Sequence, residues 1–394
     1  MSKPGSHPLR CRERRTLFVL VILLWALVAG LCATASASAS TAPRLSLDGA
    51  QSPAPSLLAT VSRVTPVASY GGWAAWSRYE PATRTYQLMV RSPAGTVTQM
   101  GAPQPLRPFE VSLGALASGG VGAVYPRCAE PIEHRECILE QLAIEAADPR
   151  EVRLPVPGAG SFFLPALWKR TVAFLRSRTV ARRRSPPELI EWTIGTNHLS
   201  KLPLPNNSYY AAEIKEQPEV RDTENAQGRI TALALNGTQV AYVRVAPWGE
   251  WTRSDLWVQK PAQRAKAIDW IGTGGGAAYG TRTYLSPTIN GSWLYAYRQY
   301  HELGHAWVRY SLNTDRTQRA AIDLGDDSNG LVQAAAPLDR GVVWSLQNQT
   351  EEGLPNAGAR VLSLAEVRWT TLKYQPSLAS WAAAQEPRRG ARGS

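Results

Sequence analysis

The stretch FEVSLGALASGGVGAVYPRCAEPIEHRECILEQLAIEAADPREVRL, Phe109 to Leu154, decides the fold. Read with a period of two, it yields four short strands, Phe109–Leu113, Gly122–Arg127, Cys137–Ile144 and Glu151–Leu154, divided by turns rich in glycine, proline or charge. Such an antiparallel meander has the size of one propeller blade. A sheet of this size leaves a face unburied, so it needs copies of itself.

The copies are regular in position and weak in identity. The second strand reads as small or β-branched residues, an aromatic and then arginine: Trp73–Arg78 (WAAWSR), Val121–Arg127 (VGAVYPR), Val172–Arg176 (VAFLR), Val240–Arg244 (VAYVR) and Leu294–Arg298 (LYAYR). These arginines are 49, 49, 68 and 54 residues apart, and a sixth copy without the arginine, Val342–Leu346 (VVWSL), follows 48 residues on. A period near fifty with four strands per period predicts an all-β fold, a six-bladed β-propeller of four-stranded antiparallel blades. Gly71-Gly72, Asn236-Gly237 and Asn290-Gly291 supply the positive φ that tight hairpins between first and second strands require. Pro66, Pro165, Pro287 and Pro337 fall in the first strands, which suits an inner edge, because proline cannot donate to a ladder.

Residues 1–40 read as a secretory signal: five basic residues (Lys3, Arg10, Arg12, Arg14 and Arg15), an apolar run Leu17–Cys32, then Ala-x-Ala sites in ATASASAS. The competing reading is an uncleaved anchor helix, but the run of 16 residues is shorter than the ~20 that span hydrocarbon. The rest divides into a flexible Pro/Ser/Ala-rich lead-in over 41–58, the propeller over 59–374 and a disordered basic tail over 375–394. Scarce lysine beside arginine, with frequent Ala, Pro and Gly, points to a high-GC bacterium.

Removal of the signal leaves two of four cysteines, Cys128 and Cys137, at facing ends of two strands of one blade. They are expected to form a disulfide in an oxidising compartment. The net charge is +12, of which +4 belongs to the signal. The basic run on and around the third blade's hairpin, Lys169, Arg170, Arg176, Arg178, Arg182, Arg183 and Arg184, is either an anion-binding patch or a solvated tip. The acidic insertion 206–227, with Glu213, Glu216, Glu219, Asp222 and Glu224, is either a recognition loop or a solvated excursion. Trp248 and Trp251 on the fourth blade's hairpin either stack on sugars or pack on a neighbouring blade.

His301-Glu302-Leu303-Gly304-His305 matches the zinc-protease pattern, whose two histidines bind metal only when a helix puts them on one face. Here the motif falls between two strands and lacks a nearby third ligand, so a zinc-dependent hydrolase is the weaker alternative. A glycoside hydrolase needs paired carboxylates, and only Glu110 stands near a first strand.

With its Val-Tyr-x-Arg-Cys, its Cys-x-Leu and the closing Arg-Leu, Phe109–Leu154 resembles blades of TolB-like six-bladed propeller proteins exported by actinobacteria. The resemblance covers roughly residues 60–373 and lacks the α/β domain that precedes the propeller of TolB proper, so TolB's partners do not carry over. It implies a scaffold or binding propeller without catalytic residues to transfer. The expectation is therefore an exported, monomeric, non-catalytic binding or scaffold protein of the cell envelope. It would hold an unknown protein or an anionic envelope polymer, with a carbohydrate-binding module as alternative. No cofactor and no nucleic acid are expected, and the membrane is met only through the signal segment before cleavage. The exported protein is expected to begin between Ser36 and Ala42 and to gain two alkylation adducts only after reduction, both read from intact mass; a mass retaining residues 1–35, or two thiols alkylated without reductant, contradicts this.

Overall fold

The alternation read in the sequence becomes sheet, with the first strand set later than expected. The structure, a computed structural model, describes residues 56–61, 63, 65–180, 183–204, 228–248, 251–272, 284–298, 306–314, 316–321, 331–338, 341–347, 360–366 and 370–371. After β1 (Ser56–Val61), the first sheet is β2 (Val67–Tyr70), β3 (Trp73–Glu80), β4 (Thr85–Arg91) and β5 (Val97–Pro105). The second is β6 (Ser112–Ala115), β7 (Val121–Glu130), β8 (Arg135–Ala143) and β9 (Glu151–Arg153). The third is β10 (Ser161–Trp168) and β11 (Thr171–Ser177), then, past the two-stranded excursion β12 (Thr179–Val180) and β13 (Arg183–Arg184), β14 (Glu188–Thr193) and β15 (Leu199–Lys201). The fourth is β16 (Arg229–Asn236), β17 (Gln239–Trp248), β18 (Trp251–Gln259) and β19 (Lys266–Gly272). Then come β20 (Tyr284–Asn290), β21 (Trp293–Arg298), β22 (Ala306–Ser311) and β23 (Thr317–Ala321), followed by β24 (Leu331–Leu338), β25 (Gly341–Gln347), β26 (Arg360–Glu366) and β27 (Thr370–Thr371).

The innermost strands β2, β6, β10, β16, β20 and β24 neighbour one another in that order, and β24 returns to β2. The molecule is thus an all-β propeller of antiparallel blades. The blades are four-stranded as expected, with one strand added. Five sheets have four strands, whereas β27 adds a fifth strand to β20–β23 by pairing with β23. Closure comes from the start of the chain: β1 pairs with β26, so the last sheet runs β1-β26-β25-β24. The expected lead-in 41–58 is accordingly shortened, since Ser56, Leu57 and Leu58 lie in this closing strand.

Cores lie between successive sheets, because both faces of each sheet are covered. Within β7, Ala123 faces Ala75, Leu88 and Val90 of the first sheet, while the next residue, Val124, packs with Phe162, Phe174 and Trp192 of the third. Adjacent sheets approach closely: a side chain at Gly114 would start 2.0 Å from the Leu167 carbonyl oxygen. Gly71 and Gly72, at φ +55° and +80°, make the predicted hairpin between Tyr70 and Trp73. Pro165 and Pro287 both sit at breaks in register, between Phe163 and Ala166 and between Leu285 and Thr288, where the missing N–H costs no ladder bond.

Val61 is 2% exposed and packs with Val67, Ala74 and Trp76 at the seam. Val61→Asp buries an unpaired charge there and is expected to destabilise the protein by about 3 kcal/mol or more, read from urea unfolding. An unchanged midpoint would show that the seam does not hold the ring.

Candidate functional site

In an antiparallel ring each connection from the outermost strand of one sheet to the innermost of the next emerges on the same face as the hairpin between second and third strands. We call it the connector face. The β7–β8, β17–β18 and β21–β22 connections open on it, as does the β12–β13 excursion. Hairpins between first and second strands open on the opposite face.

On the connector face, the link from β5 to β6 meets the β7–β8 hairpin in a cleft of about 80 Å³ lined by Gln104, Pro105, Arg107, Pro108, Glu110, Pro126, Arg127, Cys128, Pro131 and His134. A tight turn aims Arg107: Leu106 has φ +66°, and the Arg107 N–H donates to the Pro105 carbonyl at 2.8 Å. Two residues on, Phe109 is fully buried and its N–H donates to Ser77 Oγ at 2.8 Å. That anchoring explains why β6 begins only at Ser112 rather than Phe109, and it sets Glu110 at the cleft.

The opposing wall is made rigid at several points. Cys128 and Cys137 stand directly opposite in the β7–β8 ladder and are joined by a disulfide. Beyond them a 3₁₀ turn, Pro131–Glu133, ends at His134, whose φ of +49° turns the chain back. Ser161 of the third sheet donates its hydroxyl to the His134 carbonyl at 2.5 Å and accepts the Cys137 N–H at 2.9 Å. The His134 ring stacks on Phe163 with centroids 4.5 Å apart. Its Nε2 then lies 2.6 Å from Glu110 Oε1, while Arg107 Nη2 is 3.4 Å from the same oxygen. Arg107 also donates to the Pro131 carbonyl at 2.7 Å, linking the walls. Glu110 Oε2 is buried with no hydrogen-bond partner.

Behind the cleft, Glu151 ties the first two sheets together. It accepts from Tyr125 at 2.8 Å, from the Ala102 N–H at 2.7 Å and from Arg127. Burial pushes the Glu151 carboxyl up, yet these three donors outweigh it and hold the group below the usual carboxylate range. Burial, with the Glu151 charge second, raises the Glu140 carboxyl nearby.

The basic residues of the third sheet are spread over both faces. Arg176 is 7% exposed and donates to Glu188 Oε2 at 2.9 Å, directly across β11–β14. Lys169 and Arg170 lie at the β10–β11 turn on the opposite face, where Arg170 donates to the Ile194 carbonyl at 3.0 Å. Arg178 is exposed on the connector face, and Arg183 and Arg184 form β13. Arg182 lies outside the described residues, as does the insertion 206–227. Trp248 and Trp251 pair across the end of the β17–β18 ladder. His301, Glu302 and His305 also lie outside the described residues, between the antiparallel partners β21 and β22. Of the site formed here, the sequence singled out Glu110 and Cys128, but not Arg107 or His134. The available signal for His134 was its place inside a cysteine-bracketed hairpin.

No family model and no curated protein matches the chain. Similar solved structures include TolB from Acinetobacter baumannii, at 13% identity and a TM-score of 0.40, covering 76% of this chain and 66% of that one. They also include the S511A mutant of puromycin hydrolase complexed with PGG, at 12% and 0.43, covering 79% and 55%. A third is the β-propeller domain of the Trilobed protease from Pyrococcus furiosus, at 10% and 0.39, covering 79% and 81%. The chain is a β-propeller. It spans about two thirds of TolB's length and about half of the puromycin hydrolase's. The expectation of a non-catalytic binding or scaffold protein is corrected by these matches. Prolyl endopeptidases, puromycin hydrolase and an acylaminoacyl peptidase are named among them, which gives no support to a specifically non-catalytic role.

The Glu188 pair gives a pH test. Donation from Lys201, opposed by burial and joined by Arg176, holds the Glu188 carboxyl below its ordinary value of 4.5. A lowered folded value contributes stability that is present above pH 4.5 and is lost as pH falls through the folded value. Glu188→Gln is therefore expected to lower stability at pH 7 and to flatten its decline below pH 4.5, measured by urea unfolding across pH. An unchanged acid slope contradicts the assignment.

Proposed function

We propose that the chain acts outside the cytoplasm and that its ligand or substrate is met on the connector face, at the Arg107, Glu110 and His134 cleft. The observation that carries this reading is the convergence of three ionisable groups of mixed sign from two separate segments, on an open cleft whose walls are fixed by a disulfide and by the third sheet. Groups of this kind serve binding and chemistry alike, since a Glu–His pair also moves protons. The extracytoplasmic setting is supported by the Cys128–Cys137 bridge, which persists where the compartment is oxidising, and by the signal-like residues 1–40.

A photo-crosslinking residue placed at Gln104, on the cleft, and separately at Lys169, on the opposite face, tests the reading in the intact exported protein. Adducts are expected from position 104 only, and their yield is expected to fall at least about 5-fold with Arg107→Ser plus His134→Ala, in line with losing charged hydrogen bonds. Equal yields from both faces, or a yield unmoved by the double substitution, overturn it.

A further inference from the structure

We infer that the two-stranded ribbon β12–β13 holds an anionic polymer, at a second site on the connector face that does not rest on the cleft. Residues 178–187 read RTVARRRSPP, four arginines and no acid. Thr179 pairs with Arg184 and Val180 with Arg183, and the Ser185 N–H donates to the Arg178 carbonyl at 2.8 Å, which carries the same register one step further. The ribbon is a sheet of its own outside the blade ladder, so blade packing does not require these arginines. The carboxylate that follows it is already engaged: Glu188 accepts from Arg176 at 2.9 Å and from Lys201 at 2.9 Å. Among the described residues no carboxylate pairs with Arg178, which is exposed. The root of the ribbon is held, because Pro186 and Pro187 fix φ there and the Ser177 hydroxyl donates to the Ser185 carbonyl at 3.2 Å.

The register selects the form of the ligand. Successive strand residues alternate between faces, so Arg178 and Arg183 lie on one face of the ribbon, diagonal to each other, and Arg184 lies on the other. Diagonal positions stand about 7 Å apart, so two arginines on one face meet two separate charges without being drawn together against their own repulsion. Arg184, on the far face, cannot join the other two on one small anion. A chain that carries a charge on each repeat reaches all three where they stand, and linked contacts reinforce one another. A flat bilayer meets only one face of such a ribbon, whereas a flexible polymer follows both. Arginine rather than lysine at all four positions suits phosphate or carboxylate oxygens, which its planar fork engages in pairs.

The test is fluorescence anisotropy of labelled long-chain polyphosphate titrated with the exported, disulfide-bonded protein. Binding is expected, and it should weaken at least about 10-fold between about 0.05 M and about 0.2 M sodium chloride, as counterion release by three or so charges requires. Arg178→Ser, Arg183→Ser and Arg184→Ser together are expected to weaken it at least about 10-fold with the melting temperature unchanged. Lys169→Ser, Arg170→Ser and Lys260→Ser remove the same charge from the opposite face and are expected to change it less than about 3-fold. An equal loss from both triple variants shows that net charge alone acts, and overturns the site. Inorganic phosphate is expected to compete at least about 100-fold less well per phosphate than unlabelled polyphosphate, and equal competition overturns the polymer assignment. A parallel titration with polyglutamate tells repeated phosphate from repeated carboxylate; binding of either that is lost with the ribbon substitutions supports the inference. Binding to phosphatidylglycerol vesicles but to neither polymer points to a lipid surface and overturns it. The acidic insertion 206–227 is present throughout, so a ribbon already neutralised from within binds neither polymer and overturns the inference as well.

Discussion

A ring of sheets has no free face only when it is closed, and closure here depends on one ladder, β1 against β26. The two segments lie at opposite ends of the described chain, with Ser56 opposite Leu364 and Val61 opposite Arg360. Bringing the ends of a loop of about 300 residues together costs roughly 5 kcal/mol in chain entropy. The ladder offsets that cost together with the seam it seals, where Val61 packs on Val67, Ala74, Trp76 and Ala336. Without β1 the edge of β26 would be unpaired, and an open ring would expose the apolar faces of the first and last sheets. All the inter-sheet cores, and the cleft between the first, second and third sheets, are held in position by that one closing strand.

Within the ring, the repeated arginine of three second strands stands directly across the ladder from a polar or acidic residue of the third strand, Gln87 opposite Arg78, Glu188 opposite Arg176 and Asp255 opposite Arg244, whereas Ala306 stands opposite Arg298. Arg78 and Arg176 donate to the residues they face. Arg244 and Asp255 are both almost fully buried, a placement that charged residues tolerate only when opposite charges face one another. The second sheet departs from the pattern. Ile138 stands opposite Arg127, so the guanidinium turns to Glu151 on the fourth strand and to the Ala102 carbonyl of the first sheet. The arginine that ought to stitch its own blade stitches two blades instead. That substitution stiffens the base of the cleft.

The cleft shows what such stiffness does. Arg107, Glu110 and His134 are not neighbours in any regular element. They meet because Phe109 is locked to Ser77 and Tyr125, because a disulfide pins the hairpin stem, and because Ser161 and Phe163 reach across from the third sheet. Three sheets therefore cooperate in one small polar site.

The sequence alone determined the sheets and their order. Period-two alternation, glycine pairs at hairpins and the recurring arginine are all local or nearly local patterns, and they are set by pleat geometry and turn sterics that act over a few residues. Cys128 and Cys137 were legible for the same reason, as ends of one hairpin. Only the tertiary structure decided that β1 closes the ring, that Lys169 and Arg170 face away from Arg178, that Arg176 is consumed by Glu188, and that His134 meets Glu110. Each of those facts depends on which face a loop leaves or which sheet stands beside it. Alternation along one strand carries no information about the neighbour across the gap, because that neighbour is chosen by closure of the whole ring.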